Sequence, residues 1–150
     1  MTAYIPKSKT DNWATPKDLY DKLDSEFHFD FDPCPITWKE GDADGLSVEW
    51  GQSNFVNPPY SKVSDWIKKS YNEWKKGKQV VMLINAITDT KAFHEYILNN
   101  AEIRFIKGRI KFMNVANPMK SAPNVKASIL VIFKMSSRLS SRRLRADSSP

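Results

Sequence analysis

Asn57-Pro58-Pro59-Tyr60 is the segment whose residue types and order could do chemistry by themselves. A planar aromatic amine, such as the exocyclic N6 of adenine, is a poor nucleophile because its lone pair is delocalised into the ring. Two hydrogen-bond acceptors, one on each N–H, localise that pair. The side-chain oxygen of Asn57 can be one and the backbone carbonyl of Pro58 the other. Pro58 and Pro59 have locked φ and no N–H, so they stiffen the turn and keep the carbonyl out of a helix. Tyr60 offers a ring for stacking. A base must leave the duplex to reach such a group, and is then held by stacking and by contacts to its edge. An ordinary Pro-rich turn would have the same composition. The position, after an apolar strand and before a helix, is where open α/β sheets bind ligands.

The elements that must hold this turn can be read from periodicity. Thr15-Pro16-Lys17-Asp18 predicts a helix start, with Thr15 as cap, Pro16 at the first helical position and Asp18 near the positive dipole end. Phe27, Phe29 and Phe31 alternate with His28, Asp30 and Asp32, which predicts a strand ending at Asp32-Pro33-Cys34-Pro35. Residues 36–50 are irregular. Asn54-Phe55-Val56 predicts a short strand, and Ser61 opens a helix with Val63, Trp66, Ile67, Tyr71 and Trp74 on its apolar face, closed by Gly77. Val80 to Ile84 predicts a strand buried on both faces. A helix over Asp89–Leu98, an extended stretch from Ile103 to Phe112 bent at Gly108, a loop over 113–126 and a strand from Ala127 to Lys134 complete the order. Strands alternating with helices predict an α/β domain with a mostly parallel sheet and an antiparallel pair near the C-terminus. Residues 1–12 read as a polar arm. One domain over 1–134 and a disordered, basic Ser/Arg-rich tail over 135–150 follow.

Composition narrows the class. The 150 residues are 41% hydrophobic and 27% charged, as in a soluble globular domain. Cys34 is the single cysteine, which excludes an internal disulfide, and nothing beside it would make it a nucleophile. His28 and His94 lie far apart, so a structural zinc site is not expected. No apolar run is long enough for a bilayer, and the N-terminus lacks a signal peptide's apolar core, which points to a reducing, intracellular setting. The net charge of +6 suits a polyanion, or serves solubility alone. Lys107, Arg109 and Lys111 alternate with Gly108 and Ile110. Their side chains therefore share one face, to meet phosphates or simply water.

These pieces together resemble the phage-type N6-adenine DNA methyltransferases, a Dam-like family. The similarity runs from about Trp13 to Phe133. It rests on the joint order of Asn12-Trp13-Ala14-Thr15-Pro16, Phe31-Asp32-Pro33-Cys34, Asp44-Gly45-Leu46, Phe55 to Tyr60, Gly108-Arg109-Ile110 and Ile129 to Phe133. The resemblance implies a compact, Rossmann-like S-adenosylmethionine-dependent domain. It implies transfer of methyl from S-adenosylmethionine to adenine N6 in DNA, by a phage- or prophage-encoded enzyme in the cytoplasm of a bacterial host. It makes Asn57, Pro58, Pro59 and Tyr60 catalytic. Thr15 and Pro16 would contact the cofactor's methionine part, Asp32, Pro33 and Cys34 would hold it at a strand end, and Asp44 would bind its adenosine. Asp32 and Asp44 would equally serve as turn formers. Trp13 would line the cofactor or base pocket, or pack in the core. No metal is required.

One departure from the usual pattern stands out: no glycine-rich turn follows Asp32. The stretch to Asn57 is also shorter than the ~30 residues of one βαβ unit. The cofactor half is therefore compressed, which is compatible with a working homodimer. The same chemistry on cytosine N4, RNA or a protein glutamine, and a non-catalytic nucleic-acid-binding protein, are the competing readings. Nucleoside analysis separates the first, cofactor binding the second.

Overall fold

The computed structural model describes residues 13–114, 121–123 and 126–135. Seven strands are described: β1 (Trp13–Ala14), β2 (Ser53–Val56), β3 (Gln79–Asn85), β4 (Glu102–Phe105), β5 (Lys111–Asn114), β6 (Ser121–Pro123) and β7 (Ser128–Phe133). Two α-helices accompany them, α1 (Lys17–Phe27) and α2 (Val63–Lys75), with a 3₁₀ turn at Tyr60–Lys62 and a π-helical turn at Phe93–Ile97. The expected arm at 1–12 and tail from 136 onward lie outside the described residues.

The main sheet has the order β2-β3-β7-β4. β2 and β3 pair in parallel across the α2 crossover, Ser53 opposite Gln79 and Val56 opposite Met82. β7 runs antiparallel to both neighbours, with Asn85 opposite Ser128 on one side and Phe105 opposite Ile129 on the other. The expectation of a mostly parallel sheet is thus corrected: the sheet is mixed and mostly antiparallel. Only β7 is reversed, but it sits between β3 and β4, so one strand converts two pairings.

Side chains of this sheet alternate between two cores. Val56, Val80, Met82, Ile84, Ile129, Val131 and Phe133 face Trp66 and Ile67 of α2 and Phe93 and Ile97. Phe55, Val81, Leu83, Leu130 and Ile132 face Leu23 and Phe27 of α1 with Ile110 and Phe112. The apolar run Val80–Ile84 is buried on both sides as its composition predicts.

Local differences have local causes. The helix start has no side-chain cap: Pro16 is the capping residue, in extended backbone, and Lys17 is the first helical position. The strand predicted over Phe27–Asp32 is reduced to one bridge, Phe31 parallel to Asn54. Phe27 belongs to α1, and His28 ends that helix in the left-handed region at φ 51, its N–H bonding Asp24. Asp24's carboxylate then takes the Phe29 N–H (2.9 Å), and the segment reaches β2 only at Asp30 and Phe31, whose N–H groups both donate to the Ser53 carbonyl. Gly77, at φ 99, follows the end of α2 and its N–H closes on the Trp74 carbonyl at 2.8 Å. The segment expected as a loop over 113–126 begins within β5 and contains β6. β5 pairs with β1 on one side and β6 on the other, in a second, three-stranded sheet of order β1-β5-β6. The helix expected over 89–98 closes as a π-helical turn.

Beneath the C-terminal half of α2, Glu73 is fully buried. Its carboxylate pairs with Lys78 at 2.8 Å, Lys69 at 2.9 Å and Lys76 at 3.3 Å. It also accepts the Trp50 N–H at 3.3 Å. Burial alone would push this carboxyl up, but Lys78, Lys69 and Lys76 outweigh it and hold it at about 2.

Candidate active site

β2 delivers the chain into Asn57-Pro58-Pro59-Tyr60 at the C-terminal edge of the parallel β2–β3 pair. Pro58 is buried, Pro59 is extended at φ −62 and ψ 137, and Tyr60 starts the 3₁₀ turn that leads into α2. The predicted helix start at Ser61 therefore falls inside this turn, with α2 beginning at Val63. The two prolines act as expected: the backbone stays extended through the turn and becomes helical only after it.

A cleft of about 760 Å³ opens beside the turn. Asn57 and Pro59 line it, together with Thr15, Asp32, Pro33, Cys34 and Asp44. Seven of the residues singled out from sequence thus share one cavity although they span more than forty positions. Pro16, Pro58 and Tyr60 are not among its lining, and Tyr60 stands outward, 38% exposed. Trp13 is placed by its backbone in β1, opposite Asn114. Its side chain lies outside what the structure describes, so neither reading of it is decided.

Asn57 is tied to the cleft wall: its Nδ2 donates to Thr15 Oγ1 at 3.1 Å. With the nitrogen committed there, the oxygen is the end of this amide that can accept. The link also gives Thr15 a role other than the cap its sequence context suggests. Asp32 sits at the end of the Phe31 bridge and accepts the Cys34 N–H at 2.9 Å. Burial raises its carboxyl to about 6, against the lowering effect of that hydrogen bond. Asp44 makes its own turn, Oδ1 accepting the Leu46 N–H at 3.0 Å and Oδ2 the Ser47 hydroxyl at 3.1 Å. It is a turn former that also lines the cavity.

Sequence reasoning missed several wall residues. Tyr20 of α1, Phe55 of β2 and Trp66 of α2 read as packing residues, yet all three line the cleft. Trp66 is 6% exposed and its indole N–H has no hydrogen-bond partner among the described residues. Gly45 passes so close to the Pro33 carbonyl and the Trp66 ring that a Cβ would collide with both. Its own carbonyl accepts the Trp50 indole N–H at 2.7 Å. Trp50, stacked 6.2 Å from Trp66, thereby connects the cleft loop to the Glu73 cluster. The Asp44-Gly45 pair was the one available signal.

Lys107 and Arg109 are exposed around Gly108, whose φ of 78 turns the chain, and Lys111 is exposed on β5. Ile110 and Phe112 between them are buried, as the alternation requires. β5 borders β1, with Met113 opposite Ala14, and Ala14 lines the cleft. The basic stretch therefore flanks the cavity without entering it. Among the described residues no group of three or more His, Cys, Asp or Glu is gathered as for a metal, and no helix is long and apolar enough to cross a membrane.

An α/β domain whose sheet edge presents an Asn-Pro-Pro-Tyr turn into a deep cleft is a methyltransferase-like domain of the amino-group class. A profile of the family described as DNA N-6-adenine-methyltransferase (Dam) matches residues 2–146. The chain belongs to this family, and as a member it is an enzyme that methylates adenine N6 in DNA. It is 30% identical over 140 residues to the DNA N-6-adenine-methyltransferase of Haemophilus phage HP1 (strain HP1c1), covering 85% of this chain and 81% of that protein. It is 25% identical over 155 residues to the DNA N-6-adenine-methyltransferase of Escherichia phage T1, covering 86% of this chain and 65% of the relative.

Proposed function

We propose that the cleft binds S-adenosylmethionine and that the Asn57 turn presents the flipped adenine to it. One observation carries this reading: a single cavity is lined both by Asn57 and Pro59 of the turn and by Thr15, Asp32, Pro33 and Cys34. The residues fit such a cofactor. The volume is in the range of small-molecule sites, the walls are mostly apolar, and Trp66 holds an unanswered N–H for an acceptor. Asp32, half-buried and in no ion pair among the described residues, is a partner for positive charge. When bound, the cofactor supplies an electrophilic methyl group on a sulfonium.

The chain's own residues do the rest. Thr15 holds the Asn57 amide so that its oxygen meets one N6–H, and the Pro58 carbonyl takes the other. The amine's lone pair is then localised in one direction. Tyr60, outside the cleft wall and 38% exposed, offers its ring for stacking on the base as it arrives. Lys107, Arg109 and Lys111 hold phosphates beside the cavity. The phage relatives support a phage- or prophage-encoded protein acting in the cytoplasm of a bacterial host. The test is incubation of the full chain with isotopically labelled S-adenosylmethionine and duplex DNA, followed by nucleoside analysis. Label in N6-methyl-2′-deoxyadenosine supports the reading. Label in N4-methylcytosine, or none in DNA, overturns it.

Asp32 gives this reading a pH signature. Its folded value of about 6 lies above its ordinary 3.8, so the empty protein holds a neutral acid below pH 6 and a costly buried carboxylate above it. A cationic ligand favours the carboxylate. Affinity for S-adenosylmethionine should therefore fall about tenfold per pH unit on going below pH 6 and level off above it. Asp32→Asn should lose that dependence and bind more weakly at pH 7. The same substitution should stabilise the empty protein, because Asp32 costs stability as pH rises from about 4 to 6. Calorimetric titration and thermal unfolding between pH 5 and 8 measure both. A pH-independent affinity in the unmodified protein would remove Asp32 from the cofactor site.

A further inference from the structure

Exposed apolar side chains gather along one edge of the main sheet. β2, β3 and β4 share one direction, so their C-terminal ends at Val56, Asn85 and Phe105 lie on the same edge. Tyr60 follows β2, Ile87 follows β3 and Phe105 ends β4. They are 38%, 37% and 82% exposed.

Phe105 is the extreme case. Its neighbours on the strand carry the packing, Ile103 against one core and Ile106 against the other, while its own ring is left open to water. The residues that follow are exposed Lys107 and Arg109 around the Gly108 turn. A bare ring is therefore followed within four positions by two cations. Three strand spacings separate β2 from β4, roughly 14 Å at ~4.8 Å each. That is comparable to the ~12 Å width of the DNA major groove. A second copy of this chain is a poorer fit to this edge. β4 carries Glu102 and Arg104, and charges on an edge strand oppose pairing with another strand. Arg104 is moreover engaged with Glu26 at 2.6 Å.

We propose that Phe105 touches DNA bases directly, its ring wedged against a base step while Lys107 and Arg109 hold the neighbouring phosphates. Apolar side chains that insert between base steps unstack them and bend the duplex. The duplex would then be gripped at a second point along the edge that carries Asn57, which eases the departure of one base from the stack. This rests on the DNA reading above and adds a contact that Asn57, Tyr60 and the three basic residues do not supply.

The experiment is equilibrium binding of a fluorescein-labelled duplex of mixed sequence to the full chain, by anisotropy across a salt series. Phosphate contacts set the slope of affinity against salt, whereas a stacking contact shifts affinity at every salt concentration. Phe105→Ala should weaken binding about tenfold with the slope unchanged, and Phe105→Trp should stay within about threefold of the unmodified protein. The double variant Lys107→Ala/Arg109→Ala should flatten the slope. Circular dichroism checks folding, which an outward ring does not govern. Equal affinity of folded Phe105→Ala, a change in its slope in place of its offset, or a Phe105→Trp as weak as the alanine variant overturns the wedge. If the unmodified protein methylates DNA while Phe105→Ala binds equally well, only the wedge fails. If the unmodified protein neither binds nor methylates DNA, the DNA reading fails with it.

Discussion

Asn57→Ala is expected to slow single-turnover methylation of DNA by about 10²–10³ while the protein stays folded. Losing one preorganised polar group at a reacting centre typically costs that much. Asn57 is held in place, its Nδ2 on Thr15 Oγ1 and its backbone at the end of a buried strand. Pro58's carbonyl alone cannot fix both N6 protons. Asn57→Asp should be milder, since a carboxylate still accepts. Tyr60→Ala should lose stacking worth ~1–3 kcal/mol per base, and Tyr60→Phe should keep most activity. Rates from rapid quench, with circular dichroism on each variant, decide the matter. A folded Asn57→Ala protein working at a near-normal rate would sink the assignment of Asn57 as an acceptor.

Glu73→Ala should have the largest effect on stability. Removing one partner of a buried ion pair costs ~3–5 kcal/mol because the other charge is left uncompensated. Here Lys78, itself 5% exposed, would keep only Glu49, at 2.6 Å, of its two carboxylate partners, and Lys69 would lose Glu73 as well, which places the loss toward the lower end of that range. Replacing both, as Glu73→Leu with Lys78→Met, should recover most of the loss, since an apolar pair avoids the desolvation penalty. Acid should act in the same direction as the single variant. Glu73 is held at about 2 against an ordinary 4.5, so its contribution is complete above pH 4.5 and is lost as pH falls toward 2. Urea unfolding at pH 7 and at pH 3.5 measures both effects. If Glu73→Ala unfolds at the same urea concentration as the unmodified protein, the cluster holds nothing together. Because Glu73 also fixes Trp50, and Trp50 the Gly45 carbonyl, a surviving variant should bind cofactor less tightly.

The Asn57–Tyr60 turn was readable in the sequence because its backbone geometry is local. Two prolines dictate backbone shape wherever they fall, and β2, α2 and β3 around them have strong periodicity. The cleft acids were also readable, Asp32 and Asp44 by their turn neighbours. What could not be read depends on contacts between distant residues. The Thr15–Asn57 hydrogen bond joins positions forty-two apart. Trp66 has the spacing of a core residue and does pack in the core, but the same ring also walls the cleft. The alternation Phe27-Phe29-Phe31 is good strand periodicity. It was overridden by Asp24, whose side chain captures a backbone N–H that the strand would have used. The antiparallel pair expected near the C-terminus is present, but the place of β7 between β3 and β4 was illegible: an apolar run such as Ser128–Phe133 does not name its neighbours, and only the contacts fix them.

The reversed strand also bears on how the protein comes to be made. β2, β3 and β4 leave a ribosome in that order, yet β3 and β4 do not touch each other; each pairs with β7, which emerges after both. Through that interval β3 and β4 each have an unpaired strand edge, the condition in which nascent chains meet chaperones or one another. The cleft edge of the sheet, Asn57 included, therefore becomes a finished surface only when β7, the last of the described strands, is inserted at its centre, and maturation of the cleft is a late event of synthesis.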